Sequence, residues 1–196
     1  MWSVYRYLRE KKLKNKKAKP FNNYKKGVVF MIDKIPSNIY LNTSRCVISN
    51  LTFSDIEDVI PIYTDEITRK YLGGALDKEK AKEKVELLLK NQAKVYVVKE
   101  KINNSILGIL YLDLYYDKKY IELSYEFKSN YFGMGYAYEA IMSFLSYLKQ
   151  IGIQNLVAET QKKNTSSIKL LKRLGFMKMK ELVRFGEKQL VFIKTI

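Results

Sequence analysis

The chain has 196 residues and a formal charge of +16, with 47% apolar or aromatic residues, one cysteine and no histidine. That length favours one domain with a short appendage, and the apolar content is enough for a real core, so a disordered chain is excluded. A lone cysteine excludes an intrachain disulfide or a cysteine zinc cluster, and the lack of histidine removes Ser-His and Cys-His nucleophiles and the commonest metal ligand.

Residues 1–30 differ from the rest. Residues 1–28 carry ten basic side chains against one acid, Glu10, which leaves about +7 on the remainder. Residues 2–13 can form a short helix, and a lysine-rich stretch then runs to Pro20. This segment reads as a solvated basic extension, with Met31 as a possible natural start. It lacks an apolar signal-peptide core, and no run reaches the ~18 apolar residues a membrane helix needs, so a cytoplasmic, non-membrane protein is expected.

From residue 31 onward strands and helices alternate. Residues 45–51 read as a strand. Ser54 to Glu57 has the form of a capping box, followed by a helix carrying Ile56, Val59 and Ile60 that Pro61 kinks or shortens. Tyr71-Leu72-Gly73-Gly74 is a loop. Asp77 caps a helix through residue 91, with Ala81, Val85, Leu88 and Leu89 inward. Three strands follow, at residues 94–100, 106–116 and 120–127, joined by the turns Asn103-Asn104 and Asp117-Lys118. A helix spans 137–151 and ends at Gly152. Then come a strand at 155–160, a helix at 165–174 ended by Gly175, and closing strands at 176–183 and 189–194. The expected class is α/β (α+β): a mixed, mostly antiparallel sheet of six to seven strands flanked by about four helices.

The chemically informative stretch joins the strand ending at Phe127 to Asn130-Tyr131-Phe132-Gly133-Met134-Gly135-Tyr136-Ala137. Two glycines one residue apart open a helix. Glycine lets backbone approach an anion closely, and a helix N-terminus offers unsatisfied N–H groups with the positive end of the dipole. A pyrophosphate suits such a site. The third glycine of a dinucleotide fingerprint is missing, and the preceding strands form a meander, which disfavours a Rossmann site.

With these residues the chain resembles the GNAT superfamily of N-acetyltransferases, over about residues 42–194. The family pattern Gln/Arg-x-x-Gly-x-Gly/Ala is matched by Gly133 and Gly135, with Asn130 in place of Gln or Arg. Glu122-Leu123-Ser124-Tyr125-Glu126-Phe127 looks like the family's fourth strand. Asn164-Thr165-Ser166-Ser167 followed by Leu174-Gly175-Phe176 looks like its second cofactor motif. With Ser54-Asp55 and Tyr71-Leu72-Gly73-Gly74, the pattern is closest to the ribosomal-protein alanine and serine acetyltransferases.

The resemblance implies acetyl-coenzyme A as co-substrate, no metal, and transfer of acetyl to an amine, either a protein N-terminus or a small molecule. It implies a cofactor site at Phe127, Asn130, Phe132, Gly133, Met134, Gly135, Tyr136, Ala137, Asn164 and Ser167. Glu122 is the expected base, and Glu122, Ser124 and Glu126 share one face of the strand; either glutamate could instead pair with a neighbouring lysine. The family's tyrosine acid falls at Leu171, so Ser167 becomes the candidate donor to the coenzyme A sulfur, unless it serves only in the first helical turn. Tyr111, Tyr115 and Tyr125 are candidates for the acceptor pocket, and Cys46 for a small core residue. Two other readings compete: a GNAT fold that only senses acyl-coenzyme A, and a basic nucleic-acid module, disfavoured because no binding motif is present. A monomer or homodimer is expected.

Overall fold

The computed structural model describes residues 32, 34–36 and 38–196. The basic extension and its expected helix lie outside these residues. The strands are β1 (Tyr40–Asn42), β2 (Cys46–Asn50), β3 (Lys94–Glu100), β4 (Ile106–Leu114), β5 (Ile121–Phe127), β6 (Asn155–Gln161), β7 (Met177–Arg184) and β8 (Glu187–Thr195). The helices are α1 (Ile56–Thr64), α2 (Glu66–Arg69), α3 (Lys78–Lys90), α4 (Tyr136–Gln150) and α5 (Thr165–Arg173). All eight strands form one sheet in the order β1-β2-β3-β4-β5-β6-β8-β7. Every pairing is antiparallel except β5 with β6.

The period-two alternation of β3 divides the core between the two faces of the sheet. Tyr96 and Val98 pack with Phe144, Leu145 and Leu148 of α4. Val95 and Val97 face Val59, Tyr63, Val85 and Leu88 of α1 and α3. Ala140, Ile141, Phe144, Leu145 and Leu148 form the buried stripe of α4. Removing Phe144, which is fully buried, would cost about 3–5 kcal/mol.

Local signals explain most boundaries. Asp77 accepts from Lys80 N at 2.8 Å and caps α3. Asn164 accepts from Ser167 N at 3.1 Å and caps α5. Asn104 takes a left-handed conformation in the β3–β4 turn. Three features differ from expectation. The sheet gains β1, three residues long and too short to show a period. The capping box sits two residues earlier: Asp55 accepts from Thr52 N at 2.9 Å, and Ser54 is not the cap. A single 3-10 turn then leads into α1, and Lys99 Nζ meets the buried Asp55 at 2.6 Å. Past Pro61, α1 runs only to Thr64, the shortening expected of the proline, but the chain then restarts as the unexpected α2 after an extended Asp65. On the margin strand β7 the register shifts between Lys178 and Lys180.

Candidate functional site

The two parallel strands pair only at Ile121 with Leu156 and Glu122 with Val157. Beyond those pairs β5 and β6 part. The gap opens into a cleft of about 630 Å³ lined by residues 123–127 of β5 and 158–160 of β6, by the loop entering α4, and by the first turns of α5. Lys70, Lys169 and Arg173 also line it, against Glu126 and Glu159, so its walls carry a small excess of positive charge.

One wall is built from backbone. Gly133 (φ 77°) and Gly135 (φ 82°) are both left-handed, where a side chain is strained. A Cβ on Gly133 would meet nothing within 4 Å, so the backbone there faces open space. Helices α3 and α5 each have a capping side chain, whereas α4 begins at Gly135 with none. The first N–H groups of α4 thus lack a side-chain acceptor and carry the positive end of the helix dipole. Of the expected cofactor residues, Phe127, Phe132, Gly133, Gly135, Ala137, Asn164 and Ser167 line the cleft. Asn130, Met134 and Tyr136 do not. Asn130 is exposed in a 3-10 turn. Met134 is 55% exposed, and the Tyr136 hydroxyl donates to Glu100.

Ser167 Oγ lies 2.9 Å from the Tyr125 hydroxyl inside the cleft. Burial pushes the Tyr125 hydroxyl up, against the opposing effect of its hydrogen bond with Ser167. Leu171 is core, 1% exposed, so no acid occupies that position.

The carboxylates separate into different roles. Glu126 is buried and pairs with Arg69 at 2.8 Å, while Tyr111 donates to it at 3.2 Å and is itself hydrogen-bonded to Tyr63. Tyr111 is therefore a core tyrosine that lines neither cavity. Arg69 also donates to the carbonyls of Leu72 (2.6 Å) and Gly74 (3.1 Å), which ties the Tyr71–Gly74 loop to β5. Glu122 is 3% exposed and makes no hydrogen bond or ion pair to another described residue. It lines a second, small cavity of about 30 Å³, the space of one water, with Glu159, Arg184 and Gln189. Burial, reinforced by the charge of Glu159 and opposed by that of Arg184, pushes the Glu122 carboxyl up.

Glu159, which the sequence reading missed, lines both cavities, as do Tyr71, Leu72 and Thr160. Its Oε2 accepts from Tyr115 at 2.8 Å and lies 3.3 Å from Arg184 Nη1. Tyr115 thus sits behind the small cavity as a support for Glu159. A signal existed in the sequence: Glu159 is an acid directly after the apolar run Leu156-Val157-Ala158 of β6. Arg69 carried no comparable signal, because its carboxylate partner Glu126 lies 57 positions away.

Residues 45–177 match the family model described as the acetyltransferase (GNAT) domain. The uncharacterized N-acetyltransferase YnaD of Bacillus subtilis (strain 168) is 26% identical over 139 residues, which span 70% of this chain and 82% of that protein. Among solved structures, a GNAT-family acetyltransferase from Bacillus anthracis superposes with a TM-score of 0.72 at 22% identity, covering 80% of this chain and 98% of that one. A ribosomal-protein-S5-alanine acetyltransferase from Vibrio fischeri gives 0.62 at 19%, covering 80% and 96%. At these identities the two structures speak for the fold.

Proposed function

Because the chain belongs to the GNAT acetyltransferase family, we propose that it moves an acetyl group from acetyl-coenzyme A to a primary amine by direct attack on the thioester. The observation that carries this reading is the uncapped start of α4, behind two left-handed glycines, opening on a cleft with a small excess of positive charge. The N–H groups of that turn would hold the pyrophosphate. The pantetheine arm would then run along the gap between β5 and β6 toward the junction of the two cavities.

The acceptor arrives from the side of the small cavity. An alkylammonium with pKa near ~10 must lose a proton before its nitrogen can attack. Glu122 and Glu159 flank the path, and Glu122, raised by burial, is suited to take that proton through water. Nitrogen attacks the thioester carbon, the C–N bond forms, the C–S bond breaks, and the leaving thiolate takes a proton from solvent or from Ser167, backed by Tyr125. A protein N-terminus and a small amine both fit this chemistry; the Vibrio fischeri neighbour is named for an alanine of ribosomal protein S5.

The test follows acetyl-coenzyme A binding by calorimetry and thiol release with a panel of amines. In Gly135→Val the β-branched residue is strained at φ 82°, so a loop that relaxes to relieve about 1–2 kcal/mol must re-adopt that conformation to bind, and cofactor affinity should fall about 5- to 30-fold. Unchanged affinity in a folded Gly135→Val protein would refute the loop assignment. Binding without thiol release for any amine would point to an acyl-coenzyme A sensor, the reading that Leu171 favours.

A further inference from the structure

The turn between β1 and β2 reaches the far side of the loop that opens α4. Arg45 in that turn donates from Nη1 to the Met134 carbonyl at 3.1 Å and from Nε to Glu139 Oε2 at 2.7 Å. Its backbone N–H donates to Glu139 Oε1 at 2.7 Å, and Thr43 Oγ1 donates to the same oxygen at 2.6 Å. The guanidinium lies 4.2 Å over the Tyr136 ring. A Cβ on Gly135 would come within 3.4 Å of Arg45 Nη2, so the guanidinium packs directly on the loop. Neither Arg45 nor Glu139 lines the cleft.

We infer that Arg45 is a positioning residue for the pyrophosphate of the co-substrate, acting from outside the cleft through Met134 and Glu139. The inference rests on reading the Gly133 to Gly135 loop as the pyrophosphate site. Two physical reasons support it. A trans peptide points its C=O and N–H in opposite directions. Arg45 holds the Met134 carbonyl outward, which turns the N–H of Gly135, across the same peptide, toward the cleft. The second reason is charge. Glu139 stands in the first turn of α4, where a carboxylate competes with any anionic ligand for the field of the helix terminus. Arg45 and Thr43 occupy that carboxylate from the other side, and these hydrogen bonds hold Glu139 below the usual carboxylate range against the opposing effect of burial.

The experiment compares acetyl-coenzyme A with acetylpantetheine, which has the thioester but no pyrophosphate. In Arg45→Met, KM for acetyl-coenzyme A should rise about tenfold, the order expected when a charge-assisted bond is lost beside a charged ligand. KM for acetylpantetheine should change by less than about twofold. Arg45→Lys, which keeps the charge but loses the forked donors, should give an intermediate loss. Adding Glu139→Gln to Arg45→Met should recover part of the affinity, because the repelling carboxylate is gone. An equal rise for both thioesters, or no rise for either, overturns the role of Arg45 while leaving the pyrophosphate site standing. If the wild type itself uses both thioesters with the same KM, the pyrophosphate reading falls and this inference falls with it.

Discussion

Gly108 gives the sharpest test of how the cleft wall is built. It lies on β4 opposite Phe127, next to a register shift in the β3–β4 pairing. A Cβ there would sit 2.6 Å from the Glu126 carbonyl oxygen, 2.6 Å from Phe127 Cδ1 and 2.7 Å from Phe127 Cγ. Ordinary contact begins near 3.4 Å, so the neighbours must give way by nearly ~1 Å. One neighbour is backbone inside a strand ladder, and the other is an aromatic ring, 6% exposed, that lines the cleft. The φ of Gly108 is not in the left-handed region, so alanine brings no backbone strain and the effect isolates the collision. Overpacking of this kind costs about 1–3 kcal/mol. In a domain of this size each kcal/mol lowers Tm by about 2–4 °C, so Gly108→Ala should melt roughly 4–8 °C below wild type for a mid-range cost. The displaced ring should also weaken acetyl-coenzyme A binding. Circular-dichroism melts and a calorimetric titration measure the two effects. Adding Phe127→Ala should cost less than the two single losses combined, because the clash with the ring has gone and only the one with the Glu126 carbonyl remains. A Gly108→Ala protein melting within about 1 °C of wild type would refute this account of the wall.

Arg69→Met should destabilise by about 3–5 kcal/mol by leaving Glu126 buried without its partner, and Arg69→Met with Glu126→Leu should regain much of that in chemical denaturation. Lys84 is buried against the Tyr63 ring and burial lowers it to about 8. The unfolded chain holds this proton up to about pH 10.4 and the folded chain releases it near 8, so stability should rise between those values; Lys84→Met should lose that rise in Tm measured against pH. Glu122→Gln should lower kcat by ~10²–10⁴-fold, with the loss shrinking as pH rises and free amine becomes abundant. If Glu159→Gln is the inactive variant and Glu122→Gln is normal, the base stands on β6.

The elements were legible wherever a local signal existed. Asp77 and Asn164 announce the helices they cap, Val95 and Val97 announce a strand, and Gly133-Met134-Gly135 announces the turn into α4. Strand β1 has three residues and no measurable period, and it is ordered by pairing with β2. The cleft loop was readable for the same local reason as its helix, since both depend on adjacent residues. The reaction end was not. Spacing placed Glu122, Ser124 and Glu126 on one face, yet Arg69, 57 residues away, captures Glu126, and the parting of β5 from β6 brings Glu159 into the cleft. Arg45 shows the same limit, because its contacts with Met134 and Glu139 span 89 and 94 positions. Such pairings arise from strand order, and one-dimensional patterns do not carry it.

An open sheet of eight strands has two margins whose backbone groups could recruit further chains. Here β1 offers only three residues to an incoming strand. At the other margin, β7 carries the exposed Lys178 and Glu181 and breaks its own ladder between Lys178 and Lys180. A stray strand would meet charge, an interrupted register or too short a template at either side. Among the described residues, both margins of the sheet therefore carry a hindrance to edge-to-edge stacking.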